Sequence, residues 1–393
     1  MRVLIAPDKF KGSLSAVAVA DQIARGLAQA GVESLRLPLA DGGDGSVAAA
    51  LASGMQPHTC TVNDALGQPH RTTIAVDRSR TAVVEVANTC GLSTLENGTL
   101  APMTASSYGF GQAVREAIGL GARRLVLCLG GSASTDGGIG MLAALGYIFL
   151  DSDGRALPPE TRHFNDIHEV CSDTAIDLGG TEVIVASDVT SPLTGASGAV
   201  AVYGPQKGAT LDDIDRLEEG IETLVAAMQR SVESRALLWA HTPGAGAAGG
   251  CGFASLCIGG RMVSGADYFL DLLSFDQHVS GADLVITGEG RLDAQTMTGK
   301  LPAVVARRAA STPVFAVVGR SDLDEQQDVP FTEIYCVSNH STTDTTNDPQ
   351  ATATALTRIG ALIGQRLASD GAGLSAQRPL AMIQALTQKG RNK

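Results

Sequence analysis

The sequence has no stretch that would carry the chain to a membrane or hold it there. No segment approaches about 18 consecutive uncharged apolar residues, the length that spans a bilayer. The apolar N-terminal stretch "MRVLIAP" is shorter than the core of a signal peptide and is followed directly by Asp8. We therefore expect a cytoplasmic protein with no membrane partner.

Cysteine pairs and basic clusters are also missing. The seven cysteines include no CxxC pair, and an odd number cannot form a complete disulfide framework, which favours a reducing compartment. The 29 lysines and arginines form no run and are outnumbered by 41 acidic residues, so the net charge is −12. Such a chain repels the phosphate backbone of a nucleic acid. The expected partner is a small molecule.

The motifs of several common enzyme classes are absent as well. There is no GxxxxGK[ST], because the residue five positions before Gly299 is Ala294, and no GxGxxG follows the first strand. This disfavours a P-loop and an ordinary dinucleotide site. Neither HExxH nor GxSxG occurs, so zinc hydrolysis and an elbow serine nucleophile have little support.

What the chain does have is the pattern of a two-domain α/β protein. Its 393 residues exceed what one hydrophobic core usually supports. The first 55 residues alternate between buried strands and helices, as in a parallel sheet. In the first helix, Ser15 can cap the start and Gly31 the end, with Val19, Ile23 and Leu27 on the buried stripe.

The middle of the chain follows a different pattern. From about residue 58, short strands joined by turn residues predict antiparallel hairpins, and strand–helix alternation resumes later. Within residues 211–235, apolar residues recur at helical spacing, and Thr210 and Asp213 resemble a capping pair. This pattern predicts a helix whose apolar stripe lies in the core. Residues 375–393 predict a short amphipathic helix with a frayed end.

Three buried strands near the C-terminus, "ADLVITGEG", "TPVFAVVGR" and "TEIYCVS", complete this organisation. Because two N-terminal strands cannot form a stable sheet, we expect these late strands to join them and the middle of the chain to be an inserted domain. The predicted division is residues 1–58 plus 281–393 against residues 59–280.

Polar side chains follow the predicted parallel strands at the point where each strand ends. Ligands of open parallel sheets bind at that edge. A single acid at the end of a strand is typical of a turn or of a helix cap. Several carboxylates that converge on one edge, however, repel one another unless a cation such as Mg²⁺ lies among them. The residues at these strand ends are Asp8, Asp41, Asp44, Ser132, Asp136, Asp188 and Glu289.

Glycine-rich segments and lysines accompany these acids. Backbone N–H groups in such segments bind phosphate oxygens, and lysine supplies compact positive charge, so the combination indicates phosphoryl transfer. The segment "GGSASTDGG" at 130–138 is then either a loop that binds phosphate or substrate, or a flexible connection after a strand. The segment "PGAGAAGG" at 243–250 is either a ligand-binding loop or a flexible hinge. The other segments are "DKFKGSLSA", "GPQKGAT" and "GEGRLDAQTMTGK".

Seven strings of this chain resemble, in order and spacing, the bacterial type I glycerate kinase family. They are "APDKFKGSLSA", "PLADGGDGS", "GGSASTDGGIGML", "SDVTSPL", "GPQKGA", "PGAGAAGG" and "VITGEGRLDAQTMTGK", and together they span residues 3 to about 320. The resemblance implies ATP-dependent phosphorylation of D-glycerate with Mg²⁺. It also implies two α/β domains, a flavodoxin-like domain and an inserted one. The chain departs from the family pattern at Lys9, where serine is usual.

On this basis we assign hypothetical roles. Asp188 or Asp136 would act as the base, and Lys11, Lys207 and Lys300 would neutralise phosphate charge. Mg²⁺ would be held by Asp41 and Glu289. Arg291 would bind the glycerate carboxylate, or would instead form a surface salt bridge. The remaining predicted substrate- or phosphate-binding residues are Asp8, Ser13, Gly130, Gly131, Ser132, Gly246 and Gly249.

Two other functions use the same residue types. A Mg²⁺-dependent phosphatase needs these acids and glycines but no adenosine, and a sensor of sugar acids would bind glycerate without consuming ATP. The resemblance favours 2-phosphoglycerate over 3-phosphoglycerate as the product. The sequence leaves the oligomeric state open.

Overall fold

A computed structural model of the chain describes residues 1–95, 98–297, 299–323, 328–341 and 344–369. By their contacts these residues form two compact units. The terminal unit comprises Met1–Arg36 with the described part of Asp276–Lys393, and the central unit comprises Leu37–Phe275. The helix expected within residues 375–393 lies outside the described residues. In the part of the chain that is described, every helix is too short or too polar to cross a membrane.

Strands and helices alternate over most of the chain. The strands are β1 (Val3–Ile5), β2 (Ser34–Arg36), β3 (Gln56–Asn63), β4 (Pro69–Val76), β5 (Thr81–Glu85), β6 (Arg124–Cys128), β7 (Ile148–Leu150), β8 (Ala156–Leu157), β9 (Glu169–Cys171), β10 (Glu182–Ala186), β11 (Arg261–Val263), β12 (Leu284–Thr287), β13 (Arg291–Leu292), β14 (Val314–Val318), β15 (Arg320–Ser321) and β16 (Glu333–Cys336). The helices are α1 (Ala16–Gln29), α2 (Ser46–Ala52), α3 (Ala87–Cys90), α4 (Tyr108–Gly119), α5 (Ile139–Ala144), α6 (Ala199–Tyr203), α7 (Leu211–Ser231), α8 (Ala236–Ala240), α9 (Cys251–Cys257), α10 (Gly265–Leu272), α11 (Phe275–Val279), α12 (Ala294–Met297), α13 (Leu301–Arg308) and α14 (Pro349–Ser369).

The terminal unit contains a parallel sheet in the order β16-β14-β12-β1-β2. Numbered by their appearance in the chain, these strands have the order 2-1-3-4-5 of flavodoxin-like sheets. Every residue of β1, β12 and β14 is buried, as in parallel sheets that carry helices on their faces. The prediction that late strands complete the sheet begun by the first two is confirmed.

Helix α1 packs against α14 in the terminal unit. The Ser15 side chain accepts a hydrogen bond from the Ala18 N–H at 3.2 Å, which confirms the predicted cap. The predicted stripe is buried, and the helix is followed by Gly31 with a φ of +75°. The helices approach closely at two glycines: a Cβ on Gly26 would lie inside 3.0 Å of the backbone of α14, and one on Gly360 inside 3.0 Å of α1.

The central unit contains a mixed sheet in the order β11-β10-β6-β5-β4-β3. Strands β5, β6, β10 and β11 are parallel, whereas β3, β4 and β5 pair as antiparallel neighbours, which confirms the predicted hairpins. Helix α7 begins with the predicted capping box of Thr210 and Asp213. Its stripe is buried in the core of this unit, also as predicted.

The boundaries of the units differ from the predicted division. Residues 37–58, which the sequence analysis assigned to the terminal domain, belong by their contacts to the central unit, and residues 276–280 belong to the terminal unit. The physical reason for the first difference is that α2 packs on β4 and β5 and is held at its start by the Glu85 carboxylate. These contacts join segments distant in sequence, and strand and helix patterns do not report them.

We expect Gly26→Ala to lower the free energy of unfolding by about 2 kcal/mol, because an added methyl group forces α1 and α14 apart. Urea unfolding followed by circular dichroism measures the change. Gly119→Ala is the matched control, since a Cβ there meets nothing within 4 Å. Equal unfolding midpoints for the two variants would contradict the close helix contact.

Candidate functional site

Three loops of the central unit lie against one another at the carboxyl ends of the parallel strands. We call residues 41–46 the Asp41 loop, residues 130–138 the serine loop, and residues 243–250 the glycine-rich segment. The Gly130 N–H donates to the Gly42 carbonyl oxygen at 3.4 Å. A Cβ on Gly42 would lie inside 3.0 Å of the backbone of Ala186, the last residue of β10. The Asp41 loop therefore lies between the ends of β6 and β10.

Asp188 follows β10 and is held by the start of α10. Its two carboxylate oxygens accept hydrogen bonds from the N–H groups of Gly265 at 2.8 Å and Ala266 at 3.3 Å. The residue retains exposed surface, yet the protein packed around its carboxyl group desolvates the charge. This desolvation, with a smaller contribution from the Asp41 carboxylate, raises the pKa of Asp188 to about 6. Such a group can accept a proton near neutral pH.

Asp41 lies beside Asp188 in the Asp41 loop. Its Oδ1 accepts a hydrogen bond from the Gly43 N–H at 3.0 Å, which fixes the turn of the loop. The Asp41 charge is close enough to raise the pKa of Asp188. Two carboxylates in this relation repel each other, and a cation between them would relieve the repulsion.

Asp136, the other predicted base, is buried near the end of the serine loop. Its carboxylate accepts hydrogen bonds from the Ser107 N–H at 2.7 Å and the Ser107 hydroxyl at 2.8 Å. It also accepts from the N–H groups of Gly138 at 3.2 Å and Gly140 at 3.3 Å. Burial raises the pKa of Asp136 against the opposing effect of these donors. The contacts are those of a carboxylate that holds the loop to the starts of α4 and α5.

Lys207 supports the same loop from inside the unit. The residue is 3% exposed, and its amine donates to the Ser132 hydroxyl at 2.9 Å and to the Ser134 carbonyl oxygen. Burial lowers the pKa of Lys207 to about 8, while the charge of Asp136 acts in the opposite direction. The amine predicted to neutralise phosphate charge is thus buried and donates to groups of the serine loop.

The glycine-rich segment is packed rather than slack. Residues 244–250 are all buried, so the structure does not show the flexible hinge considered from the sequence. A Cβ on Gly246 would lie inside 3.0 Å of the Pro192 backbone, and a Cβ on Gly249 inside 3.0 Å of the Ser134 backbone. In the serine loop, a Cβ on Gly130 would lie 2.5 Å from the Gly43 Cα. These glycines let loop backbones touch.

The terminal unit holds the predicted residues that follow β1. The Asp8 carboxylate accepts a hydrogen bond from the Lys9 N–H at 2.7 Å and pairs with the Lys9 amine at 3.5 Å. Lys9, the departure from the family pattern, is therefore an ion-pair partner of Asp8. The Ser13 hydroxyl donates to the Thr352 hydroxyl at 2.9 Å. Lys11 is exposed, and its amine makes no ion pair with a described residue.

Glu289, Arg291 and Lys300 also lie in the terminal unit. The Glu289 carboxylate is 8% exposed and accepts a hydrogen bond from the Thr296 hydroxyl at 2.5 Å. Arg291 pairs with the Asp322 carboxylate at 2.5 Å, so the structure shows the salt bridge considered from the sequence. Lys300 pairs with Asp293 at 3.5 Å. Exposed pairs of this kind contribute little to stability and can exchange partners.

The predicted site residues are thus divided between the units. Asp41 is in the central unit and Glu289 in the terminal unit, so neither unit by itself contains both predicted metal ligands. Within the described ranges, no three His, Cys, Asp or Glu side chains gather into a group that could hold a metal ion. The central unit holds Asp41, Gly130, Gly131, Ser132, Asp136, Asp188, Lys207, Gly246 and Gly249, and the terminal unit holds Asp8, Lys11, Ser13, Glu289, Arg291 and Lys300.

Glu85 is a site residue that the sequence analysis missed. It is 2% exposed at the end of β5, and its carboxylate accepts from the N–H groups of Gly45 at 3.0 Å and Val47 at 2.8 Å. Helix α2 begins after Gly45, which has no side chain to cap it. Glu85 supplies the missing cap from a distant strand and so holds the Asp41 loop. The available signal was an acid ending the buried strand "TAVVE".

We expect Glu85→Gln to reduce turnover about tenfold, because the amide NH₂ of the glutamine would face one of the two N–H donors and release the Asp41 loop. Hydrogen exchange at the amides of Gly45 and Val47 should accelerate in parallel. The control is Asp64→Asn, in a turn whose carboxylate accepts from the Leu66 and Gln68 N–H groups, both at 2.8 Å. Unchanged exchange in Glu85→Gln would contradict the capping role.

The buried amine of Lys207 predicts a specific pH dependence of stability. Its pKa is about 8 in the folded protein against an ordinary 10.5, so between these values the unfolded chain binds one more proton. The free energy of unfolding should then rise with pH, by about 1.4 kcal/mol per unit, relative to Lys207→Met. Urea unfolding of both proteins between pH 7 and about 10 measures the difference. Parallel curves would rule out the buried amine.

Comparison with known proteins agrees with this architecture. A family model described as the glycerate kinase family matches residues 3–368. The chain is 38% identical over 332 residues to a glycerate kinase of Bacillus subtilis, covering 82% of this chain and 86% of that protein. It is 33% identical to a glycerate 2-kinase of Escherichia coli, covering 81% of this chain and 85% of that protein.

A solved structure extends the likeness to three dimensions. A crystal structure assigned to glycerate kinase 2 of Salmonella typhimurium LT2 superposes with a TM-score of 0.79 at 31% identity, covering 94% of this chain and 99% of that one. The resemblance seen in the seven strings is thereby confirmed at the level of the family. The chain belongs to the glycerate kinase family, whose members are kinases that use an alcohol group as acceptor.

Proposed function

We propose that this protein transfers the γ-phosphoryl group of ATP to a hydroxyl group of D-glycerate, with 2-phosphoglycerate as the product. The observation that carries the proposal is the family match over residues 3–368. A relative named glycerate 2-kinase supports the choice of hydroxyl. The seven strings favour the bacterial type I group. Seven free cysteines support a reducing, cytoplasmic setting.

Asp188 is the proposed base. As the glycerate oxygen bonds to the γ-phosphorus and the bond from that phosphorus to the β-phosphate oxygen breaks, the hydroxyl proton passes to the Asp188 carboxylate. A pKa of about 6 keeps this carboxylate ready to accept a proton at neutral pH. Asp136 is the weaker candidate, because four hydrogen-bond donors occupy its buried carboxylate.

We propose that a divalent cation binds beside the carboxylates of the central unit. Asp41 is the proposed Mg²⁺ ligand, because its charge already acts on Asp188 and a cation would relieve that repulsion. Bound Mg²⁺ would neutralise phosphate charge. Glu289 is retained as the second predicted ligand, although Thr296 already donates to its carboxylate.

The positive groups of the terminal unit are proposed to bind the anionic parts of the substrates. Lys11 fits a phosphate best, since it is exposed and makes no ion pair within the described ranges. Lys300 would have to leave Asp293, and Arg291 would have to exchange Asp322 for the glycerate carboxylate. These exchanges cost little at exposed pairs.

We expect Asp188→Asn to lower kcat at least 100-fold with little change in the KM for ATP, because the variant loses a proton acceptor but little volume. ADP release with and without D-glycerate measures the rate. Asp173→Asn, which changes an exposed carboxylate elsewhere in the central unit, is the control.

The product is identified by ³¹P NMR. Coupling of the product phosphorus to one proton identifies the 2-phosphate, and coupling to two protons identifies the 3-phosphate. Wild-type turnover would remove Asp188 as the base, and glycerate-independent ADP release would contradict the kinase.

A further inference from the structure

Gly265, the first residue of α10, lies between Asp188 and the Asp41 loop. Its N–H donates to Asp188 Oδ1 at 2.8 Å. On its other side, a Cβ would lie inside 3.0 Å of the Asp41 carbonyl group and 3.1 Å from the Gly42 nitrogen. The residue is buried, so nothing but protein occupies the space into which a side chain would project. Gly265 thus contacts both the Asp188 carboxylate and the backbone of the Asp41 loop.

The backbone conformation of Gly265 does not require glycine. Its φ is outside the left-handed region, where glycine is otherwise favoured. At a helical position, alanine forms helices better than glycine. The missing side chain is therefore used for close approach, since the backbone atoms of Asp41 occupy the place that a Cβ would take.

The opposite side of the Asp41 loop is closed in the same way. Gly42 has a φ of +80°, and a Cβ there would lie inside 3.0 Å of the Ala186 carbonyl group. Ala186 ends β10 and stands two residues before Asp188. The Asp41 loop is thus in contact with both the strand that precedes Asp188 and the helix that holds its carboxylate.

We infer that Gly265 is a positioning residue that sets the separation between Asp41 and the Asp188 carboxylate. The inference rests on the proposed function, in which Asp188 is the base and Asp41 a metal ligand. A methyl group at Gly265 must push α10 away from the Asp41 loop, because it would meet backbone atoms of Asp41 and Gly42, which cannot yield as a flexible side chain would. The loop cannot retreat either, since Gly42 already lies against the Ala186 backbone. The Asp188 carboxylate moves with the N–H groups that hold it.

The first test compares Gly265→Ala with Gly119→Ala, the helical glycine whose Cβ meets nothing within 4 Å. Displacing a catalytic group by about 1 Å can cost up to 100-fold in rate. We expect Gly265→Ala to lower kcat between about 10- and 100-fold, with the KM for ATP and for glycerate within about threefold of wild type, and Gly119→Ala to change neither. A kcat for Gly265→Ala equal to that of Gly119→Ala would overturn the inference.

A double-mutant cycle separates positioning from general damage to the fold. If Gly265 acts through Asp188, Gly265→Ala should cost little further rate in the Asp188→Asn background. A fall of the same factor in both backgrounds would assign Gly265 a merely structural role. Wild-type turnover of Asp188→Asn alone would refute the proposed base and the inference together. Low turnover of Asp188→Asn with normal turnover of Gly265→Ala would refute the inference alone.

A second measurement does not depend on the folding of Gly265→Ala. Hydrogen exchange at the Gly265 amide should accelerate at least tenfold in Asp188→Ala, because that amide loses its acceptor. Asp173→Ala should leave it unchanged. Equal exchange rates in the two variants would show that the contact between Gly265 and Asp188 does not hold the start of α10, and would overturn the inference.

Discussion

Contact between backbones, made where side chains are absent, is the constraint on which the central unit depends. Gly42, Gly130, Gly249 and Gly265 each stand where a Cβ would lie inside 3.0 Å of another segment's backbone. Loops packed in this way present their N–H groups to one another and to neighbouring carboxylates. Most of the donors that hold the acids of the site are consequently main-chain N–H groups, which cannot rotate away as side chains do.

Charges in the central unit fall into two groups by their surroundings. Glu85, Asp136 and Lys207 are buried and hold loops from within. Asp188 keeps exposed surface, and its carboxylate accepts from backbone N–H groups at the start of α10, whereas Asp136 is buried among four donors. A buried charge is tolerated only when donors or acceptors satisfy it. The same residue type is therefore a buried loop anchor at one strand end and a partly exposed carboxylate at the next.

Much of the fold could be predicted because its signals are local. Apolar runs marked the strands, spacing marked α1 and α7, and Ser15, Thr210 and Asp213 marked helix starts. Part of the site could also be predicted, because polar residues after parallel strands share one edge of a sheet. Residues 37–58 were assigned to the terminal domain, but by their contacts they belong to the central unit. The sequence did not indicate this, because α2 is capped by Glu85 of β5 and not by a residue at its own N-terminus.

The sequence by itself determined which segments form the strands, which acids follow them and which kinase family the chain resembles. Only the tertiary structure decided which acid is buried among four donors and which keeps exposed surface. Asp136 takes a donor from 29 residues away, Glu85 from 40 and Asp188 from 77. Hydrogen bonds and desolvation depend on distance in space, and residue patterns report only distance along the chain.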